Sequence, residues 1–390
     1  MTNTSPSIDI RPFRVEVAQA ELDDLMDRLA RTRLPQPAPG DDWDTGTPNS
    51  YLRDAVEQWR TFDWRAAEER INSFPHFVAE VDGQPIHFIH VRSPHAGATP
   101  LLLAHTYPGS SVDYLDLIDE LVDPVAHGGR AEDAFDVVIP DAPGYGFSQP
   151  VAEAGWTMPR VARAYDALMR GLGYERYGAH GTDFGAGVST FMALDDPEPM
   201  IGVHLSNLDN GPYTGPGSRP LSGAERAYLD VSQRWYEAEG GYKAIQSTKP
   251  QTVGYGLNDS PAGLASWVLE KWRSWSDSGG DLDGRFSREF LLTVLTIFWA
   301  TQTIAPSMRD YYDNRRAGLY TLGRGDFVDV PTAIAVYANH FVPEGAPPRE
   351  WAERLYNVRQ WTPMPRGGHF AAAEEPELLA RDIAAFFAEL

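Results

Sequence analysis

The chain has 390 residues and a formal net charge of −22, from 33 Lys and Arg against 55 Asp and Glu. Its length allows two domains or one decorated domain, and 42% hydrophobic residues can bury a sizeable core. No basic cluster interrupts the acidity, so a nucleic-acid or anionic-membrane partner is not expected. The absence of cysteine excludes thiol nucleophiles, disulfides and zinc–thiolate sites.

The opening residues, MTNTSPSIDIRPF, lack a basic-then-apolar leader, and no apolar run reaches spanning length. A cytoplasmic location without a membrane partner is the expectation. Over 12–34, Val17, Leu22, Leu25, Met26 and Leu29 recur at helical spacing, and 50–72 reads as one or two further helices. This arm is expected to precede the first strand. FVAEV-DG-QPIHFIHV (77–91) reads as two strands joined by a tight Asp82-Gly83 turn. LLLAH (101–105), FDVVIPD (135–141), the stretch ending at Asp183 and GVHLSNL (202–208) are further strands. A helix around Val161, Ala164, Tyr165, Leu168 and Leu172 lies among them. Residues 215–325 are mostly helical in pattern. TAIAVYA (332–338) and VRQWTP (358–363) restore the strands, and a terminal amphipathic helix closes the chain. A mostly parallel sheet interrupted by a helical insertion describes this order.

Three loops carry the chemistry. Gly181-Thr182-Asp183-Phe184-Gly185 has the small-x-nucleophile-x-small pattern of a strand-to-helix elbow, with an aspartate at its apex. His105-Thr106-Tyr107-Pro108-Gly109-Ser110 follows LLLA and can aim the Tyr107 N–H at the same place. The N–H of Phe184 lies beside it, and two such donors make an oxyanion hole. Arg366-Gly367-Gly368-His369-Phe370, between the last strand and the closing helix, can deliver a general base. His87 and His90 lie mid-strand, where core or surface roles fit better than metal ligation, and His180 sits in the strand beneath the elbow.

With these loops in view, the whole chain resembles the microsomal-type epoxide hydrolases of the α/β-hydrolase superfamily, in their soluble bacterial form. Within them it resembles the biosynthetic epoxide hydrolases of actinobacterial enediyne pathways. The similarity covers PFRVEV, LDDLMDRLARTR and RTFDWRAAEERINSFPHF near the start. It continues through the lid signature YKAIQSTKPQTVGYGLNDSPAGLASWVLEKW to PRGGHFAAAEEPELLA at the end. The resemblance implies an N-terminal helical domain (1–76), an α/β-hydrolase core (77–214 and 326–390) and a helical lid (215–325). It also implies a homodimer that needs no cofactor and no metal. Its substrates would be a small-molecule epoxide and water. The lid aromatics Trp235, Tyr236, Trp267, Trp272, Trp275, Phe298 and Trp299 suggest that this epoxide is bulky and apolar, such as an aryl epoxide.

In that family an aspartate, here Asp183, attacks an epoxide carbon and forms an ester. His369 would activate the water that cleaves the ester, with Tyr107 and Phe184 holding the oxyanion. Two lid tyrosines assist the departing oxygen, and Tyr242 and Tyr311 match their positions, with Tyr312 a rival to the latter. The third triad member departs from the pattern. A gapless count puts His340 where the acid belongs, a short insertion brings Glu344 there, and Asp209 after the preceding strand is the alternative. Glu344 is the choice, and Asp141 and Asp329 are less well placed. Thr106 stands where the family's loop has glycine, and Phe184 where tryptophan is usual. Two competing readings remain, a haloalkane dehalogenase and a catalytically silent binding protein of the same fold. The first is disfavoured because the Phe184 side chain has no indole N–H to hold halide and the paired lid tyrosines favour an epoxide.

Overall fold

A computed structural model describes residues 8–148, 151, 153–339 and 346–390. Among these, nine strands form one sheet: β1 (Ile10–Phe13), β2 (His76–Val81), β3 (Gln84–Val91), β4 (Thr99–Ala104), β5 (Phe135–Pro140), β6 (Tyr177–Gly181), β7 (Met200–Leu205), β8 (Val328–Asn339) and β9 (Tyr356–Gly368). Their spatial order is β1-β2-β3-β5-β4-β6-β7-β8-β9. The pairs β1/β2, β2/β3 and β3/β5 are antiparallel, and every later pair is parallel. The central strands read as unbroken apolar runs because both their faces are covered. Leu101 and Leu103 of β4 enter one core, beneath the helices Leu115–Val122 and Pro376–Phe387. Leu102 and Ala104 enter the other, with the helices Met158–Gly171 and Phe184–Asp195.

The expected hairpin is present, with Asp82 at φ 53° and Gly83 at φ 72° between β2 and β3. The left-handed values at both residues are those a two-residue turn needs to match strand twist. The first described element is not a helix, however. Ile10–Phe13 pairs antiparallel with β2, and the first helix starts only at Gln19. Four residues containing a proline give no alternation to read. Pro12, with no N–H to donate, is tolerated because the strand lies at the sheet edge. Val17 is buried without being helical, and its N–H donates to Glu68 Oε1 at 2.7 Å.

Between β7 and β8 the chain runs through helices alone, and the N-terminal arm folds onto them. Trp59 Nε1 donates to Thr296 Oγ1 at 2.9 Å in a buried contact, and Arg28 pairs with Asp259. No single helix among the described residues is long and apolar enough to cross a membrane.

A buried chain of three side chains fastens the arm to the sheet. His76 Nε2 lies 2.8 Å from Ile71 O, His76 Nδ1 lies 2.8 Å from His87 Nε2, and His87 Nδ1 lies 2.8 Å from Asp141 Oδ2. Ile71 O only accepts, so His76 donates there and receives a bond from His87. Every bond is satisfied when both His87 nitrogens carry a proton and Asp141 does not. Burial, helped by the neighbouring His87, lowers the His76 pKa from 6.5 to about 4. Burial alone would raise Asp141, but the hydrogen bond and charge of His87 prevail and hold it at about 2. The unfolded chain therefore takes up protons before the folded one as pH falls. The contribution of neutral His76 is complete above pH 6.5 and is lost as pH falls toward 4. That of ionised Asp141 is complete above pH 3.8 and is lost toward 2. His76→Gln should flatten the decline in urea-unfolding stability between pH 6.5 and 4, by up to about 3 kcal/mol for a shift of this size. An unchanged slope would show that His76 does not couple protons to folding.

Candidate active site

β6 ends at Gly181, and the chain turns through Asp183 into the helix Phe184–Asp195. Asp183 holds φ 51° and ψ −125°, a strained conformation for a residue with a side chain. Its neighbours must be glycine. A Cβ on Gly181 would stand 2.2 Å from Gly185 O, and one on Gly185 would stand 2.1 Å from Ala104 O. The turn is pinned by Asn207, on the loop after β7, whose Oδ1 accepts the Asp183 N–H at 2.5 Å.

The Asp183 carboxylate is buried, and the loop after β4 closes over one of its oxygens. Tyr107 N–H donates to Oδ2 at 2.9 Å, and the Thr106 hydroxyl lies 3.2 Å from it. The N–H of Phe184 lies next to Asp183 in the chain, at the start of the helix Phe184–Asp195. Burial pushes the Asp183 pKa up, opposed by the Tyr107 N–H, the charge of Lys243, the Phe184 N–H and the Thr106 hydroxyl. The loop is shaped by His105, whose Nδ1 meets Thr106 O at 2.9 Å while Nε2 accepts Ala142 N–H at 2.9 Å. Lid tryptophans anchor it from above: Trp267 Nε1 donates to Tyr107 Oη and Trp272 Nε1 to Pro108 O, both at 3.0 Å.

His369 follows the end of β9. Its N–H donates to Trp275 O at 2.8 Å, and its ring packs edge-on against Trp275. Nε2 stands 3.9 Å from Asp183 Oδ2, 2.5 Å from Thr106 Oγ1 and 3.2 Å from Tyr107 O. Burial lowers its pKa to about 3, so the ring is a neutral base at physiological pH.

Tyr242 and Tyr311 come from the lid helices Gly241–Gln246 and Arg309–Ala317 and meet edge to face, with ring centroids 6.1 Å apart. Both line a cavity of about 380 Å³ together with Asp183. For both phenols, burial and then the charge of Asp183 raise the pKa well above the ordinary value, so they stay protonated donors. Tyr312, about 100° further round its helix, is outside this cavity, with its hydroxyl 2.9 Å from Arg316. Trp235 and Tyr236 line the cavity wall, whereas Phe298 and Trp299 are buried in the lid core.

Among the acids, His340 and Glu344 lie outside the described residues. Asp141 is spent on His87, Ser111 N–H and Phe147 N–H. Asp209 lines the cavity, and its buried Oδ2 has no hydrogen-bond partner among the described residues. Burial and the nearby charge of Asp183 raise its pKa to about 7.

Four contributors were not anticipated from sequence in these positions. Asn207 pins the elbow, and the Thr106 hydroxyl lies between nucleophile and base. Asp310 accepts from Tyr145 Oη at 2.8 Å and, with its pKa raised well above normal by burial, faces the cavity. Lys243 is the one cation among the described residues lining that cavity. The adjacency of β6 and β7 could have pointed to Asn207, because parallel neighbours bring their strand ends together.

Comparison with known proteins agrees with this architecture. Residues 10–114 match the family described as epoxide hydrolase N terminus, and residues 99–376 match the alpha/beta hydrolase fold family. A Stigmatella aurantiaca relative is 41% identical over 386 residues, 98% of this chain and 85% of its own. Epoxide hydrolase 1 of Oryctolagus cuniculus is 38% identical over 404 residues, 97% of this chain and 88% of its own. The solved structure of Aspergillus niger epoxide hydrolase superposes with a TM-score of 0.83 at 29% identity, covering 99% of this chain and 98% of that one. With both family matches and relatives that span nearly its whole length, the chain belongs to the epoxide hydrolases of the α/β-hydrolase fold.

Proposed function

We propose that the protein opens an apolar epoxide, aryl epoxides among them, to a vicinal diol through an ester on Asp183. The observation that carries this is the division of labour around that carboxylate. Oδ2 is engaged by the Tyr107 N–H, and two protonated phenols line the cavity it shares. Oδ1 attacks a ring carbon and the C–O bond breaks. The departing oxygen takes its proton from Tyr242 or Tyr311. His369 then removes a proton from water as the water attacks the ester carbonyl. The oxyanion on Oδ2 rests on the N–H groups of Tyr107 and Phe184. Collapse breaks the ester C–O bond, and the diol oxygen takes the proton held by His369. The second water proton, left on the Asp183 carboxyl, returns to the tyrosinate as the diol is released.

Glu344 is the acid that orients His369 in this scheme. The carboxyl of Asp209 is weakly acidic and its Oδ2 is without a partner among the described residues, which makes it the poorer candidate. The aromatic wall of Trp235 and Tyr236 supports an aryl substrate. A cytoplasmic homodimer acting in natural-product biosynthesis completes the reading, on the strength of the family resemblance. The division into an N-terminal segment (1–76), a core (77–214 and 326–390) and a lid (215–325) is supported by the strand-free run of helices from Gly223 to Ala317, while β1 threads the first segment into the sheet.

Hydrolysis of styrene oxide, with diol as the readout, tests both parts. Glu344→Gln should be slowed about 10²- to 10⁴-fold by loss of the orienting charge. Asp209→Asn should stay within about tenfold of wild type, since its Oδ2 accepts no hydrogen bond among the described residues. Full activity in Glu344→Gln beside a dead Asp209→Asn would reverse the assignment. No diol from a panel of aryl and alkyl epoxides would sink the reaction itself.

A further inference from the structure

The Thr106 side chain is buried at the centre of the site, and its one hydroxyl has three partners in reach: His369 Nε2 at 2.5 Å, Tyr107 O at 3.0 Å and Asp183 Oδ2 at 3.2 Å. A hydroxyl donates only one proton but can accept as well. The imidazole and the carboxylate it lies between are 3.9 Å apart at their nearest atoms, too far for a direct bond. Thr106 therefore bridges the base to the oxygen that becomes the ester carbonyl. The protonation state of His369 decides which way the bridge points. While Nε2 is an unprotonated acceptor, it competes for the threonine proton at the shorter distance. Once Nε2 has taken a proton from water it can only donate, and the hydroxyl is free to turn its own proton toward Oδ2.

We propose that the Thr106 hydroxyl is a third oxyanion donor, engaged when His369 becomes protonated during ester hydrolysis. The proposal rests on the Asp183-ester reading above. In that step water oxygen bonds to the ester carbon, its proton passes to Nε2, and the carbonyl electron pair moves onto Oδ2. The hydrogen bonds then run from Nε2–H to Thr106 Oγ1 and from Thr106 O–H to Oδ2, beside the backbone donor at 2.9 Å from Tyr107. On collapse the ester C–O bond breaks and the diol oxygen takes the Nε2 proton. Threonine gains and loses nothing, and once the Asp183 carboxyl has passed its remaining water proton to the tyrosinate the arrangement returns to its starting state. Because this donor is recruited as the negative charge forms, it stabilises the transition state more than the ester before it.

The test is single-turnover mixing with styrene oxide, following ester formation and decay by quenched intact-protein mass. Thr106→Val keeps the branched shape and deletes the hydroxyl. Ester decay should slow about 10- to 100-fold, the order expected for one donor among several, and by at least ten times more than formation. The ester should accumulate. Thr106→Ala should repeat the defect, ruling out the added methyl as its cause, and Thr106→Ser should restore decay to within about threefold of wild type. Decay at the wild-type rate in Thr106→Val overturns the proposal. So does an equal loss in both steps that serine fails to rescue, which is the signature of a packing role. His369→Gln run alongside separates the two levels. An ester on Asp183 in that variant with normal decay in Thr106→Val sinks only the threonine role, whereas no ester on Asp183 sinks the mechanism beneath it.

Discussion

His369→Gln, mixed with styrene oxide, is expected to gain the mass of one substrate on Asp183 and to release no diol. Ring opening needs a carboxylate and a proton donor, and neither is His369. Hydrolysis of the ester needs a base placed to activate water, and that is the work of Nε2, 3.9 Å from Asp183 Oδ2. Glutamine retains much of the bulk against Trp275 but cannot carry a proton away, so turnover should fall about 10⁴-fold or more. Burial keeps the native ring neutral down to a pKa of about 3, so protonation of free His369 does not limit the acid side of the rate profile. The raised pKa of Asp183 makes it the group whose protonation would limit ring opening as pH falls. Asp183→Asn should form no adduct, because an amide in the same turn presents no anionic oxygen. An adduct that maps elsewhere, or steady diol release from His369→Gln, would remove the ester from the mechanism.

The elbow was legible because its constraint is steric and local. Only glycine fits at 181 and 185, and the residue between them must be the one displayed. The loops bearing Tyr107 and His369 were legible for a related reason, since each directly follows an apolar strand of a parallel sheet. The choice between Tyr311 and Tyr312 was not legible. It depends on helix phase relative to the cavity, which packing of the helix Arg309–Ala317 decides. β1 was missed because its pairing comes from β2, far along the chain: Ile10 pairs with Ala79 and Arg11 with Val78, 69 and 67 residues away. Asn207, Asp310 and Lys243 are ordinary polar residues in their own segments. They acquire meaning only from the cavity into which three distant parts of the chain converge.

Tyr242→Phe and Tyr311→Phe should each slow formation of the Asp183 ester by about 10²-fold, and the double variant should leave it close to undetectable. An epoxide oxygen leaves as an alkoxide unless a donor meets it. The cavity is enclosed by protein on the side where Asp183 lies, so water is a poor substitute there. Each phenol is buried beside the Asp183 charge, and both influences favour the protonated form. Ring opening should therefore show no loss of rate toward pH 10 that traces to either tyrosine. The measurement belongs in the His369→Gln background, where ester formation is seen without the step that follows. Removing the hydroxyls leaves the rings, and with them the edge contacts of Tyr311 to Tyr107 and of Tyr242 to Trp275. A packing role would thus survive the substitution, while a donor role would not. Tyr312→Phe should leave ester formation unchanged, because that hydroxyl is turned toward Arg316 and away from the cavity. If instead the Tyr312 variant slowed ring opening and Tyr311→Phe did not, the helix Arg309–Ala317 would have to rotate by a residue when substrate binds, and the pair acting on the epoxide oxygen would be Tyr242 with Tyr312.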